Sequence, residues 1–392
     1  MKNSVIVAAK RTPIGSFSGV FASTPATRLG AVAIKAVIEA SGIDPKCVEE
    51  VIMGNVIMAG EGQAPARQAT IYAGLPKETA ALTVNKVCGS GLKAVMLADQ
   101  AIRAGDADVV IAGGMENMSL APYALEKARS GYRMGNGEIV DLMIKDGLWD
   151  PYGNKHMGII GEKCAAEYKI SREDQDKYAV QSYTRAMNAI TSGRFNDEIV
   201  AVEVASRKGS TFVSVDEEPS RGDIAKMGGL RAAFDKNGTI TAGNASSIND
   251  GAAAVLVMSE DKAKAMGVKP LVRIVASAQF SQDPDWFTTA PSGAIEKALK
   301  KAELTAKDID LWEVNEAFAV VALVNSQKTG IPNDKVNVNG GAVALGHPIG
   351  ASGTRILVTL VHELLKRHEA KRGLAVLCIG GGEAVAVIVE KI

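Results

Sequence analysis

Apolar and polar positions follow two rhythms along this chain. Short apolar runs at Val5–Ala9, Val51–Met58 and Asp108–Ala112 predict buried β-strands. Between them, Thr27–Ala40 and Gly91–Arg103 place apolar residues three and four positions apart, which predicts amphipathic helices. Strand–helix–strand units of this kind predict an α/β fold with a covered sheet. The second half repeats the rhythm. Strands are expected at Val255–Met258, Val272–Ala276, Asp310–Val314 and Val336–Asn339, with helices at Ala290–Lys301, Ala317–Gln327 and Gly353–Leu365. Leu374–Ile379 and Val385–Val389 form a closing pair of strands joined through Gly380-Gly381-Gly382.

Two segments suggest a duplication. Cys88-Gly-Ser-Gly91 opens a helix, after which a strand runs into Ala112-Gly113-Gly114. Gly350-Ala-Ser-Gly353 also opens a helix, after which a strand runs into Gly380-Gly381-Gly382. Self-similarity about half a chain apart marks a repeated unit. Between the halves, residues 120–249 are rich in charge, and Pro122–Gly137 and Ser206–Gly222 lack periodicity. That stretch still holds one well-signalled helix, Ser171–Thr191, opened by the capping pattern Ser171-Arg-Glu-Asp174. A chain of 392 residues exceeds one ordinary core. The expected division is a first half of residues 1–119 plus 250–270, an insertion at 120–249, and a second half at 271–392.

Composition narrows the class. With 47% hydrophobic and 22% charged residues, the chain reads as globular. Lys+Arg and Asp+Glu balance at 44 each, so there is no basic excess to favour nucleic acid or an anionic membrane. No apolar run approaches the roughly 18 residues of a membrane span. The first apolar stretch is broken at Lys10 and is shorter than a signal h-region, so a cytoplasmic location is expected. Cys47, Cys88, Cys164 and Cys378 show no CxxC spacing, which supports neither a disulfide framework nor a metal site. A lone cysteine usually reads as a small buried apolar residue. Only Cys88 and Cys378 have surroundings that say otherwise.

Four segments carry candidate chemistry. In Asn85-Lys-Val-Cys-Gly-Ser-Gly91 a cysteine stands at a helix start, where the helix dipole is expected to lower its pKa; a glycine-rich turn around a buried cysteine is the alternative. In Asn339-Gly-Gly-Ala-Val-Ala-Leu-Gly-His-Pro-Ile-Gly-Ala-Ser-Gly353, His347 lies in a glycine-rich loop suited to proton exchange, or to a turn held by backbone hydrogen bonds. Leu377-Cys-Ile-Gly-Gly-Gly382 ends a strand at a cysteine before glycines whose amides could face a ligand oxygen. Glu313-Val-Asn-Glu-Ala-Phe318 ends a strand at Asn315, which reads as a helix cap or as the holder of a water. His362 and His368 read as solvated helix-surface residues.

Together these segments resemble the four signature loops of the thiolase family, in the same order and at matching spacing. The resemblance runs the length of the chain, from Arg11-Thr-Pro-Ile-Gly15 through Gly54-Asn55-Val56 and Gly62-Gln-Ala-Pro-Ala-Arg-Gln68 to the C-terminus. It implies a five-layered α/β/α/β/α fold of two similar βαβαβαββ halves, with a loop domain inserted in the first. It also implies that Cys88 is the nucleophile, that His347 activates it, that Cys378 is an acid/base and that Asn315 positions a water. The backbone amides of Cys88 and Gly380 would bind an oxyanion.

The implied reaction is a reversible condensation of two acetyl-CoA to acetoacetyl-CoA and CoA through an acyl-cysteine. CoA and acyl-CoA are its substrates, and no metal or other cofactor is called for. His156-Met157-Gly158 corresponds to the segment that marks short-chain members, in which Met157 narrows the acyl pocket, and Leu148, Phe234, Ala242, Ser246 and Phe318 correspond to residues lining the pantetheine tunnel. Arg221 reads as a nucleotide-phosphate contact or as a solvated surface arginine. Short-chain members are usually tetramers built from tight dimers, with Pro122–Asp141 here as the tetramer loop. Two positions depart from the pattern. Ser247 stands where glycine is usual, and Phe287 where many short-chain members have methionine. Phe287 resembles members that also accept a 2-methyl branch, which leaves the acyl preference open. A broader-range 3-ketoacyl-CoA thiolase and a non-catalytic lipid-carrier relative are the alternatives. A β-ketoacyl synthase would use two histidines where this chain has Asn315 and Cys378.

Overall fold

The computed structural model describes residues 2–207 and 209–392; Met1 and Lys208, the latter within the aperiodic stretch 206–222, lie outside them. The first half runs β1 (Ser4–Arg11), α1 (Ala26–Ser41), β2 (Glu50–Gly54), α2 (Pro65–Tyr72), β3 (Ala80–Val84), α3 (Ser90–Ala104) and β4 (Val109–Asn117). An excursion carrying α4 (Met157–Glu167) and α5 (Arg172–Thr191) follows before β5 (Asn249–Ser259) completes the half. The second half runs β6 (Val272–Ser281), α6 (Ala290–Ala302), β7 (Leu311–Val314), α7 (Ala319–Thr329), α8 (Ile349–Lys366), β8 (Arg372–Ile379) and β9 (Glu383–Lys391).

The two halves share one strand order. It is β3-β2-β4-β5-β1 in the first and β7-β8-β9-β6 in the second. In both, the strands near the outer edge pair in parallel and the inner ones antiparallel. The place held by β3 is taken in the second half by a single parallel bridge between Val336 and Trp312. The expected strand Val336–Asn339 is therefore not formed: Asn337 turns to a positive φ of 47°, which ends extended backbone after one pairing. The half-sheets join where β1 meets β6, through Val5↔Arg273 and Ile6↔Val272.

Three apolar clusters make five layers. Helices α3 and α8 lie between the half-sheets, where Leu92, Val95, Ile356 and Leu360 pack with Val110, Val255, Leu377 and Val387. On the outer face of the first half-sheet, Leu29, Ile34 and Val37 of α1 meet Val51, Ile111 and Leu256. On the outer face of the second, Ile295 and Leu299 of α6 meet Trp312, Val376 and Ile388. Each fully buried side chain of this size contributes about 1.5–3 kcal/mol. Glycines set the spacing of the middle layer. A Cβ on Gly353 would lie 2.4 Å from the backbone nitrogen of Leu92, and one on Gly91 would lie 2.9 Å from that of Thr354. The two helices therefore cross backbone to backbone at their N-terminal ends, which brings Cys88 and His347 to the same place.

Other boundaries moved. The strand expected at Val51–Met58 stops at Gly54, where the chain turns away from the sheet. Helix α2 escaped the periodicity reading because only Pro65, Ala66, Ala69 and Thr70 of its residues are buried. Helix α4 escaped it because apolar residues surround much of it and blur any single stripe. The cap at Ser171 forms as expected: its hydroxyl accepts from the Asp174 amide at 3.1 Å, and the Asp174 carboxylate accepts from the Ser171 amide at 3.3 Å. His362 is half-buried rather than solvated, because its Nε2 lies 2.9 Å from the carbonyl of Ala9 on β1. Among the described residues no helix is long and apolar enough to cross a membrane.

Candidate active site

The turn that carries Cys88 is tightly stapled. Val87, just before it, has φ of +46°, a conformation that a β-branched residue adopts only under strain of roughly 1–3 kcal/mol. Side chains hold it there. The Ser90 hydroxyl accepts from the Lys86 amide at 2.8 Å and donates to the Val87 carbonyl at 2.6 Å. The Asn85 side-chain oxygen accepts from the Val87 amide at 2.9 Å. Helix α3 begins only at Ser90, so Cys88 lies outside its first turn.

His347 is fixed on both sides. Its backbone amide donates to Oδ1 of Asn249 at 2.9 Å, and the Ser247 hydroxyl donates to the same oxygen at 2.8 Å. Its ring Nδ1 lies 2.6 Å from the Ser352 hydroxyl, which donates to the Pro348 carbonyl at 2.8 Å. A hydroxyl has one proton. With that proton on Pro348, Ser352 accepts from Nδ1–H and leaves the lone pair on Nε2. Ser90 and Ser352 occupy the same place in the two repeats; Ser90 holds the loop of Cys88 and Ser352 that of His347.

Asn315 directly follows β7, its amide donating to the Val376 carbonyl at 3.0 Å. Its Nδ2 lies 3.5 Å from His347 Nε2, and its buried Oδ1 has no partner among the described residues. The neighbouring Glu316 locks this loop. Its carboxylate accepts from Tyr178 at 2.9 Å, Ser182 at 2.7 Å, Asn337 at 2.7 Å and the Val343 amide at 3.0 Å, tying α5 to the loops before and after α7. Cys378 sits at the end of β8, 1% exposed. Beyond it, Gly381 and Gly382 take φ values of +88° and +82°, which only glycine adopts freely, and they turn the Gly380 amide toward Cys88.

Cys88, His347, Cys378 and Gly380 all line one cavity of about 190 Å³. Burial pushes the Cys88 thiol up to about 11, opposed by the amides of Gly380 and Cys88 itself, which point at the sulfur. Cys88 as a residue is half-buried at the cavity wall, and desolvation is the largest cause of the shift. The expectation of a depressed pKa fails for this reason: desolvation outweighs a helix dipole whose first turn begins beyond the residue. Burial raises Cys378 well above the ordinary thiol range, and Cys88 beside it adds to the shift. Burial, and then the charge of Arg355, lowers His347 to about 3, so its imidazole is neutral at physiological pH. The site thus holds two thiols, one neutral imidazole presenting a lone pair, and two amides aimed at one sulfur. Such a set can pass a proton from sulfur to nitrogen and stabilise an oxyanion.

The remaining expected residues divide. Leu148, His156, Met157, Phe234, Ser246, Phe287 and Phe318 line the cavity wall. His156 stacks on Phe234 with ring centroids 4.8 Å apart, and Phe318 stands edge-on to both Phe234 and Phe287. Ala242 and Arg221 lie outside the wall. Ala242 is exposed, and Arg221 is exposed and paired with Glu217 at 3.3 Å. Several lining residues had no sequence signal, among them Val87, Met118, Ile248 and Ile349. Ser352 had one: it repeats Ser90 at the matching helix start. Among the described residues no group of three or more His, Cys, Asp or Glu side chains could hold a metal ion.

Comparison with known proteins agrees with this geometry. Residues 4–261 match the family model described as thiolase, N-terminal domain, and residues 268–391 match thiolase, C-terminal domain. A protein of Cupriavidus necator named acetyl-CoA acetyltransferase is 56% identical over the whole of both chains. Proteins of the same name from Escherichia coli (strain K12) and Pseudomonas aeruginosa are 55% and 52% identical, again over the whole of both chains. With both halves matched and relatives of this identity aligned end to end, the chain belongs to the thiolase family.

Proposed function

We propose that this protein is an acetyl-CoA acetyltransferase that interconverts two acetyl-CoA with acetoacetyl-CoA and CoA. The observation that carries the reading is the convergence of Cys88, Cys378 and a neutral His347 on one small cavity, with the amides of Cys88 and Gly380 directed at the nucleophilic sulfur. His347 Nε2 takes the Cys88 proton as sulfur attacks the thioester carbonyl. The carbonyl oxygen becomes an oxyanion between the two amides, and loss of one such donor costs on the order of 10²–10³ in rate. The C–S bond to CoA then breaks. Cys378, a thiol at rest, protonates the departing CoA sulfur and becomes a thiolate. The same thiolate removes a methyl proton from a second acetyl-CoA. Its enolate oxygen is held by the His347 imidazolium and a water on the free Oδ1 of Asn315. The carbanion attacks the acetyl carbonyl, Cys88 leaves, and His347 returns its proton. Each proton is accounted for, and run backwards the scheme is thiolysis.

Met157, Phe287 and Phe318 close the cavity around the acyl position, which supports a short acyl group over a broader-range 3-ketoacyl-CoA thiolase. In this reading the excursion between β4 and β5 supplies the CoA contacts, and Pro122–Asp141 supplies contacts between subunits of a homotetramer. The test is thiolysis of 3-ketoacyl-CoAs of rising chain length. Acetoacetyl-CoA is expected to be the best substrate, with kcat/KM falling as the chain grows. A preference for long chains would overturn the assignment of the Met157 wall.

A further inference from the structure

Glu116 is the next-to-last residue of β4, follows seven residues without a polar side chain and is fully buried. Its carboxylate gathers four donors from both halves of the molecule. Oε1 accepts from the Ile57 amide at 3.1 Å and from Asn55 Nδ2 at 3.0 Å. Oε2 accepts from the Val56 amide at 3.1 Å and from the Gly350 amide at 2.8 Å. An ionised carboxylate offers about four lone-pair sites, so this one is saturated. Burial raises its pKa, but a proton would find every lone pair taken, and the start of helix α8 at Gly350 also favours an anion. The group is therefore held as a carboxylate.

The donors lie where the two halves meet around the site. Gly350 follows His347-Pro348-Ile349, and a Cβ on it would lie 2.6 Å from Glu116 Oε2, so the helix start is seated directly on the carboxylate. Val56, Ile57 and Ile349 pack in one apolar cluster against which Cys88 rests. We propose that Glu116 is a positioning residue for the reaction: it pins the helix that follows His347 to the strand end beside Cys88, and so keeps the two catalytic loops in register. The proposal rests on the roles given above to Cys88 and His347. Glu116 itself touches no reacting atom.

The test is E116Q in the full-length enzyme. The variant keeps the shape, but its amide nitrogen meets the Val56 and Gly350 amides when turned one way and the Ile57 amide when turned the other, so at least one backbone bond is lost in either orientation. Misplacement of catalytic groups by about 1 Å can cost on the order of 100-fold, so kcat for acetoacetyl-CoA thiolysis is expected to fall by about that factor. The CoA wall at Leu148, His156 and Phe234 is untouched, so KM is expected to stay within about threefold. A kcat within threefold of wild type, or a loss appearing mainly in KM, overturns the proposal. Wild type without turnover would instead defeat the functional reading. If E116Q does not fold, hydrogen exchange on wild type decides. The Val56, Ile57 and Gly350 amides should exchange as slowly as those of β4. Exchange as fast as in the exposed loop at residues 125–139 would overturn the proposal.

Discussion

Replacing Ser352 with alanine removes the partner of His347 Nδ1 without touching any reacting atom. The hydroxyl lies 2.6 Å from Nδ1, and both residues are buried, so no solvent takes its place freely. When His347 accepts the Cys88 proton it becomes an imidazolium, and the Nδ1–H bond to Ser352 then involves a charged donor. Hydrogen bonds to charged groups contribute about 1.5–3 kcal/mol. At about 1.4 kcal/mol per tenfold, acylation of Cys88 should slow by roughly 10- to 150-fold. The ring also loses the contact that assigns its tautomer, so part of the population would present N–H to the thiol instead of a lone pair. The assay is single-turnover acetylation by acetyl-CoA, quenched and read by intact mass, at pH 7 where neither sulfur is ionised. The reasoning is refuted if the variant acetylates within twofold of wild type.

Two further outcomes follow from the same geometry. Cys378→Ala should still acetylate Cys88 but lose condensation, since no base remains for the second acetyl-CoA; unimpaired acetoacetyl-CoA synthesis by that variant would remove Cys378 from its role. Stability should depend on pH through His347. Its folded pKa of about 3 lies below the roughly 6.5 of the unfolded chain, so the unfolded state takes up a proton first as pH falls. The stabilisation is fully present above about 6.5 and is lost toward 3, so wild type should lose stability relative to His347→Asn across that window. Urea unfolding at several pH values would show it, and a difference between the two proteins that does not vary with pH would contradict it.

Much of the layer structure was legible because burial imposes periodicity. Strands buried on both faces, such as β4 and β8, appear as apolar runs, and α1 and α6 as stripes. Elements lacking that regularity were lost. Helix α4 is short of a polar face, and the short apolar run at Val336 announced a strand that the positive φ of Asn337 cuts to a single bridge. The candidate site was legible at Cys88, His347, Cys378 and Asn315 because each sits in a glycine-rich or strand-ending motif. Their environment was not. The neutral state of His347 and the raised thiols arise from burial among residues far apart in the chain, such as Arg355 near His347. Glu116 carried one local signal, a charge directly after an apolar strand run. What it holds comes from Asn55, Val56, Ile57 and Gly350, which only the folded chain brings together.

The central claim is that Cys88 carries the acyl group. Incubating the protein with labelled acetyl-CoA, removing unbound substrate and mapping the label by peptide mass tests it most directly. The account predicts one acetyl group on the peptide containing Cys88 in wild type and none in Cys88→Ser. Label on the Cys88→Ser variant at the wild-type level, or on another residue of wild type, would contradict it.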